Sequence, residues 1–182
     1  MNITELPIGG ALQLDTPFHT DARGTFAKPF AATAGALPGF SVAEVFWSRS
    51  ASGVVRGLHF QNPPTAVAKL VFVSQGRIRD VILDLRSDSP TFGRHVAVEL
   101  DEASGAIFVP VGCAHGFEVL AGPAVTCYLQ DGGFDPATDA GVRWDSAGVT
   151  WATTDPVVSE RDQNQPALTD LPQLTAAQWE RR

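Results

Sequence analysis

In the stretch VVRGLHFQNPP, residues 54–64, an arginine and a histidine flank a glycine inside an otherwise apolar run. Strict strand alternation places Val54, Arg56, Leu58 and Phe60 on one face and Val55, Gly57, His59 and Gln61 on the other. A histidine facing a core needs hydrogen bonds, and its imidazole exchanges protons near neutral pH. An arginine among apolar residues needs an anionic or polar partner. Further out, Lys69 alternates with Val71 and Val73 in AKLVFVS, and Asp84 alternates with Ile82 and Asp80 in RIRDVILDL. His115 follows a Pro-x-Gly turn in FVPVGCAHGFEV. Singly, these are a satisfied core histidine, a snorkelling lysine and an edge aspartate. Jointly they describe an interior lined with His, Lys, Asp and Arg, which is costly unless it is used.

The elements that must position them are short and β-rich. Runs at 43–50, 54–61, 68–74, 77–85, 94–100, 105–111, 115–121 and 124–130 are separated by Gly and Pro punctuation. Many short strands at this spacing predict an antiparallel sandwich or barrel, here one all-β jelly-roll domain over residues 1–182. Only TAAQWERR, 175–182, reads as helical. Jelly rolls enclose a pocket between sheets, so inward polar residues matter. Gly57 is placed to host a bulge that re-aims Arg56 and His59 into one cavity, and Pro63-Pro64 ends the strand.

The chain has 182 residues, 44% of them hydrophobic and 18% charged, with net charge −7. No Lys/Arg cluster occurs, which disfavours nucleic acid, while a few buried arginines suffice for a small anion. Cys113 and Cys127 have neither metal-site nor disulfide-framework spacing and fit a reducing compartment. No leader-like or membrane-length apolar run is seen, so a soluble cytoplasmic protein is expected. No second histidine follows His59 at His-x-His spacing to build a metal site, and no Gly-x-Ser-x-Gly elbow exists.

Four blocks in order, GVVRGLHFQNPP, AKLVFVSQGRIRDVILDLRSDSPTFG, FVPVGCAHGFEVL and GVRWDSAGVTW…DPVVSERDQNQPAL, closely resemble the dTDP-4-dehydrorhamnose 3,5-epimerase family of cupin-fold enzymes. The resemblance runs from about residue 17 to residue 168. It implies a dTDP-4-keto-6-deoxyhexose substrate, whose C3 and C5 protons lie alpha to the ketone, and a reaction that needs no metal or organic cofactor. His59 then matches the base, Asp162 its orienting carboxylate and Lys69 the stabiliser of the enolate oxygen. Arg23, Arg56 and His115 match residues lining the sugar and diphosphate site. Phe26 matches an aromatic that stacks on the base of the nucleotide. Asp84 is expected to be the charge partner of Lys69. The family is typically a homodimer that exchanges residues across its interface, and the segment through Phe30 is the expected exchanging element.

Several positions depart from the family pattern. The proton-returning tyrosine, aligned on its Y-x-P segment, falls at Phe134, and Tyr128 is the chain's only tyrosine. Glu44 and Phe46 stand where the family often has Gln and Asn, and Lys28 where an acidic residue is frequent. The expectation is an epimerase acting at C3 alone because the acid is missing. The alternatives are a full 3,5-epimerase with another donor, such as Cys113, Cys127 or solvent, and a silent nucleotide-sugar binding protein.

Overall fold

The computed structural model describes residues 2–31, 37 and 39–180. Ten strands form one continuous hydrogen-bonded sheet that folds over itself, and a separate hairpin stands apart. Two strands carry the architecture: β7 (Lys69–Asp84) and β10 (Cys113–Gln130), antiparallel from Lys69↔Gln130 to Cys113↔Asp84. The first half of β7 and the second half of β10 belong to one layer. That layer adds β9 (Ala106–Val109), β2 (Leu12–Leu14), β1 (Ile3–Glu5) and, on the β10 side, β5 (Glu44–Ser50). The opposite halves form the second layer with β8 (His95–Asp101), β6 (Val54–Gln61), β11 (Asp139–Gly141) and β12 (Val157–Val158). This is an all-β, cupin-like jelly roll.

Two pairs of expected strands are thus each one strand. The runs at 68–74 and 77–85 merge through Gly76, and those at 115–121 and 124–130 merge through Gly122-Pro123. Register shifts between Val119 and Val125 let β10 turn the corner between layers. Gly76 sits at φ +79°, where a Cβ would stand 2.6 Å from the Ala121 carbonyl oxygen and 2.8 Å from the Ala124 Cα. The corner is closed around a residue without a side chain.

Between the layers lies a core of alternating apolar residues, among them Val71, Val73, Ile78, Ile82, Phe117 and Tyr128. The outer face of the second layer buries Leu58, Val81, Leu83 and Ala114 under the C-terminal segment, which contributes Val142 and Trp179. The outer face of the first layer buries Leu14, Leu70 and Ala106 beside Phe30 and Phe40. The expected C-terminal helix is one turn, α2 (Ala176–Trp179), opened by a Thr175–Gln178 capping box. It seats Trp179 edge-on against Phe60, with ring centroids 5.6 Å apart. Arg181 and Arg182 lie outside the described residues. The separate hairpin, β3 (Phe18–Asp21) with β4 (Gly24–Ala27), is exposed along most of its length.

Candidate active site

A bulge in β6 builds one wall. His59 pairs with His115 and Arg56 with Phe117, so three steps along β6 oppose two along β10. The extra residue overrides strict alternation and brings Arg56 and His59 to the same cavity, of about 310 Å³. Gly57 has φ +115°, and a Cβ there would meet the Gly116 Cα at 2.6 Å and the His115 oxygen at 2.9 Å. A Cβ on Gly116 would meet the Arg56 oxygen at 2.5 Å. The glycines therefore permit the close strand approach that sets the bulge.

Behind β6, a short turn α1 (Glu160–Gln163), capped by Ser159, delivers Asp162. Its Oδ1 lies 2.7 Å from His59 Nε2, and its Oδ2 accepts the Gly57 N–H at 3.1 Å. Burial opposes ionisation of Asp162, but the hydrogen bonds from His59 and the Gly57 N–H outweigh it and hold the carboxyl below its ordinary value. An ionised carboxylate only accepts hydrogen bonds, so Nε2 carries the proton and Nδ1 is left as the basic atom. With 29% of its side chain exposed, His59 is open to the cavity, whereas Asp162 is buried.

The facing wall comes from the other layer in cross-strand rows. Glu44, Gln130 and Lys69 form one row, and Phe46, Tyr128 and Val71 the next. Burial lowers the Lys69 ammonium to about 8, against the raising pull of Asp139 and Asp80 and with a further push down from Arg161. Tyr128 is buried between a stacked Phe46, at 4.6 Å, and the edge of His115, at 5.9 Å. Burial raises the phenol above its ordinary value, so it keeps its proton. His115 Nε2 lies 2.7 Å from Asp80 Oδ2, both side chains being buried. Burial raises the Asp80 carboxyl, with His115 pulling the other way. At the rim, Arg161 donates to Asp139 at 2.6 Å.

Among the residues expected from sequence, His59, Asp162, Lys69, Arg56, His115 and Glu44 converge at this cavity. Arg56 Nε donates to Ser50 Oγ at 2.9 Å. Arg23 and Phe26 do not reach it. They sit on the exposed hairpin, Arg23 paired with Asp21 and Phe26 stacked on His19. Asp84 is not the partner of Lys69: it lies at the opposite end of β7, bound by Arg86 at 2.8 Å and by Ser89 and Thr91, both at 2.6 Å. The carboxylates that act on Lys69 are Asp80 and Asp139. Phe134 lines the rim and is 59% exposed, its backbone N–H donating to Glu44 Oε2 at 2.7 Å. Tyr128 lines the same cavity from within. Cys113 and Cys127 do not line it, and burial pushes the Cys113 thiol up to about 12. Sequence reasoning placed Asp80 and Gln61 on strand faces without giving either a role, and it missed Asp139 and Arg161. Gln61 accepts from the Asp135 N–H and donates to the Gly133 carbonyl, fixing the loop that carries Phe134. Among the described residues no cluster of three or more His, Cys, Asp or Glu is arranged to hold a metal ion.

A jelly roll whose cavity sets a histidine–carboxylate pair against a lysine and a buried phenol defines a proton-transfer enzyme of the cupin type. Residues 5–170 match the family described as dTDP-4-dehydrorhamnose 3,5-epimerase, and the chain belongs to that family. It is 43% identical over 124 residues to the dTDP-4-dehydrorhamnose 3,5-epimerase of Sinorhizobium fredii, spanning 66% of this chain and 64% of that protein. NovW, a 4-keto-6-deoxy sugar epimerase from the novobiocin cluster of Streptomyces spheroides, superposes with a TM-score of 0.90 at 34% identity, covering 98% of this chain and 95% of NovW. ChmJ, a 3'-monoepimerase from Streptomyces bikiniensis, superposes with a TM-score of 0.88 at 30% identity over 96% of this chain and 94% of its own. That ChmJ structure, a complex with dTDP, carries substitutions of a histidine and a tyrosine 70 positions apart.

Proposed function

We propose that the protein epimerises a dTDP-4-keto-6-deoxyhexose alpha to its C4 ketone, with His59 as base and Tyr128, not the residue at 134, as acid. The observation that carries this reading is the 2.7 Å His59–Asp162 pair in one cavity with Lys69 and Tyr128. His59 Nδ1 removes the proton from C3, and Asp162 stabilises the imidazolium that results. The electron pair moves onto the C4 oxygen, where the Lys69 ammonium stabilises the enolate. The Tyr128 phenol, on the opposite layer, protonates the other face, and solvent resets both groups. Spacing supports the choice of acid. His59 and Tyr128 stand 69 positions apart and His59 and Phe134 stand 75 apart, against the 70 that separate the substituted pair in ChmJ.

Arg56, His115 and Arg161 are suited to hold the sugar and diphosphate oxygens. Arg23 and Phe26, remote from their own cavity, fit a homodimer in which the hairpin serves the partner's site. With an acid in the cavity, C5 is no longer silenced by a missing donor, so the reading is epimerisation at both alpha carbons. Reaction at C3 alone is the second reading, favoured by the likeness to a 3'-monoepimerase. Incubation with dTDP-4-keto-6-deoxyglucose in heavy water, followed by NMR, decides: label and inversion at C3 and C5, or at C3 only. No label at either carbon overturns the proposed activity.

A further inference from the structure

Among the described residues, four buried side-chain polar atoms have no hydrogen-bond partner: Ser48 Oγ, Asp80 Oδ1, Thr126 Oγ1 and Trp179 Nε1. Of the residues that carry them, only Ser48 lines the active-site cavity. Its strand, β5, pairs with β10 in a register that sets Phe46 opposite Tyr128 and Ser48 opposite Thr126. Ser48 therefore stands diagonally from Tyr128 on the same face of the sheet, a separation that an aromatic side chain spans. Burial raises the Tyr128 phenol above its ordinary pKa, and the Ser48 hydroxyl is the strongest influence drawing it back, ahead of the Arg56 cation. Asp80 and Cys127 push it up further. A group that draws a phenol's pKa down favours the ionised form. Arg56 is itself tied through Nε to Ser50 Oγ at 2.9 Å, one position further along the same face of β5.

An unpaired buried hydroxyl is costly in a resting protein. It becomes useful where charge appears during a reaction. When Tyr128 protonates the enolate, its O–H bond breaks, a C–H bond forms on the sugar and the negative charge passes to the phenolate oxygen. We propose, resting on the function given above, that Ser48 is the positioning residue of the acid, its O–H donating to the Tyr128 oxygen as that charge develops. The hydrogen bond is made as the proton leaves and not in the resting enzyme, so it lowers the barrier to proton return without strengthening the ground state. Ser48 keeps its own proton throughout, and solvent restores that of Tyr128. His59 acts from the opposite layer, so proton removal does not depend on Ser48.

The test follows dTDP-4-keto-6-deoxyglucose in heavy water by NMR with the native protein, Ser48→Ala and Ser48→Thr. It separates label taken up with inversion from label taken up with retention. When the acid is slowed, the enolate regains deuterium from the His59 imidazolium on the face it left. Ser48→Ala should therefore lower inversion by about 10- to 100-fold, the worth of one hydrogen bond to a charged oxygen, while labelled, uninverted substrate accumulates. Its melting temperature should not fall, because the resting fold loses only an unpaired hydroxyl. Ser48→Thr keeps the hydroxyl and should retain inversion. Unchanged inversion in Ser48→Ala, inversion and label uptake falling together, or a Ser48→Thr chain as defective as Ser48→Ala would each overturn the role of Ser48 and leave the epimerase reading intact. Absence of label with the native protein would overturn both.

Discussion

At the scale of single residues, the roles of His59, Asp162 and Lys69 separate by measurement. His59→Ala removes the only imidazole bonded to Asp162, and label uptake from heavy water should vanish without loss of the folded state; near-native uptake would refute the base assignment. Asp162→Asn preserves shape but no longer stabilises an imidazolium, and should lower kcat by about two to four orders of magnitude. Asp162 has its folded pKa below its ordinary value. It therefore stabilises the fold above the usual carboxylate range, and that stability is lost as pH falls through the folded value. Lys69 has the opposite consequence. Its folded pKa, about 8, lies below the 10.5 of a free lysine, so charging it costs stability at low pH and the cost is relieved as pH rises from 8 to 10.5. Over the same limb the enolate loses its positive partner. Activity should therefore fall through pH 8 while the melting temperature gains a favourable contribution. Lys69→Met should lose both dependences along with about two to three orders of magnitude in kcat.

At the scale of elements, the site depends on where strands bulge and bend. Gly57→Ala would force a Cβ to within 2.6 Å of the Gly116 Cα at a φ of +115°. A cost of about 1–3 kcal/mol from backbone strain alone is expected, read as a drop in the denaturant midpoint, together with lost activity as His59 leaves Asp162. An unchanged midpoint would show that β6 can shed the bulge. The β-rich runs between 43 and 130 were legible in sequence, and so was the bulge, because a glycine between two polar residues breaks a pattern of period two; the short strands β1–β4, β11 and β12 were not. The continuity of β7 and β10 was not legible: Gly76 and Gly122-Pro123 read as turns, whereas they are corners in unbroken strands. The misplacement of Asp84 follows from that. If 68–74 and 77–85 were a hairpin, Lys69 would lie beside Asp84; as one strand, they occupy opposite ends and Asp80 and Asp139 act on Lys69 instead. The face of Tyr128 relative to Phe134 was equally hidden, since parity does not carry across the Asp131–Gly133 loop. Side-chain bonds from Glu44 and Gln61 return that loop to the rim.

At the scale of the molecule, the hairpin stands outside the cavity of its own chain. Phe26 is 56% exposed and the side chain of Arg23 90% exposed, and neither lines the cavity. A net charge of −7 makes the outer surface a poor receptor for a nucleoside diphosphate. Cations gathered at or near one cavity must do that work, and an arginine with an aromatic on a projecting hairpin is equipped to complete such a site on a neighbour. In a twofold dimer each hairpin would serve the other chain's cavity, because the same contact is made twice. That arrangement is tested by complementation. A His59→Ala chain has an intact hairpin and no base, while an Arg23→Ala/Phe26→Ala chain has a base and a defective hairpin. Each alone should be nearly inactive at subsaturating substrate. Mixed and allowed to exchange subunits, half the dimers are heterodimers, and each restores one site in two. Recovery of about a quarter of native activity is therefore expected for a twofold dimer. If the hairpin serves its own chain, every site in the mixture lacks either base or hairpin, and no recovery occurs at any ratio.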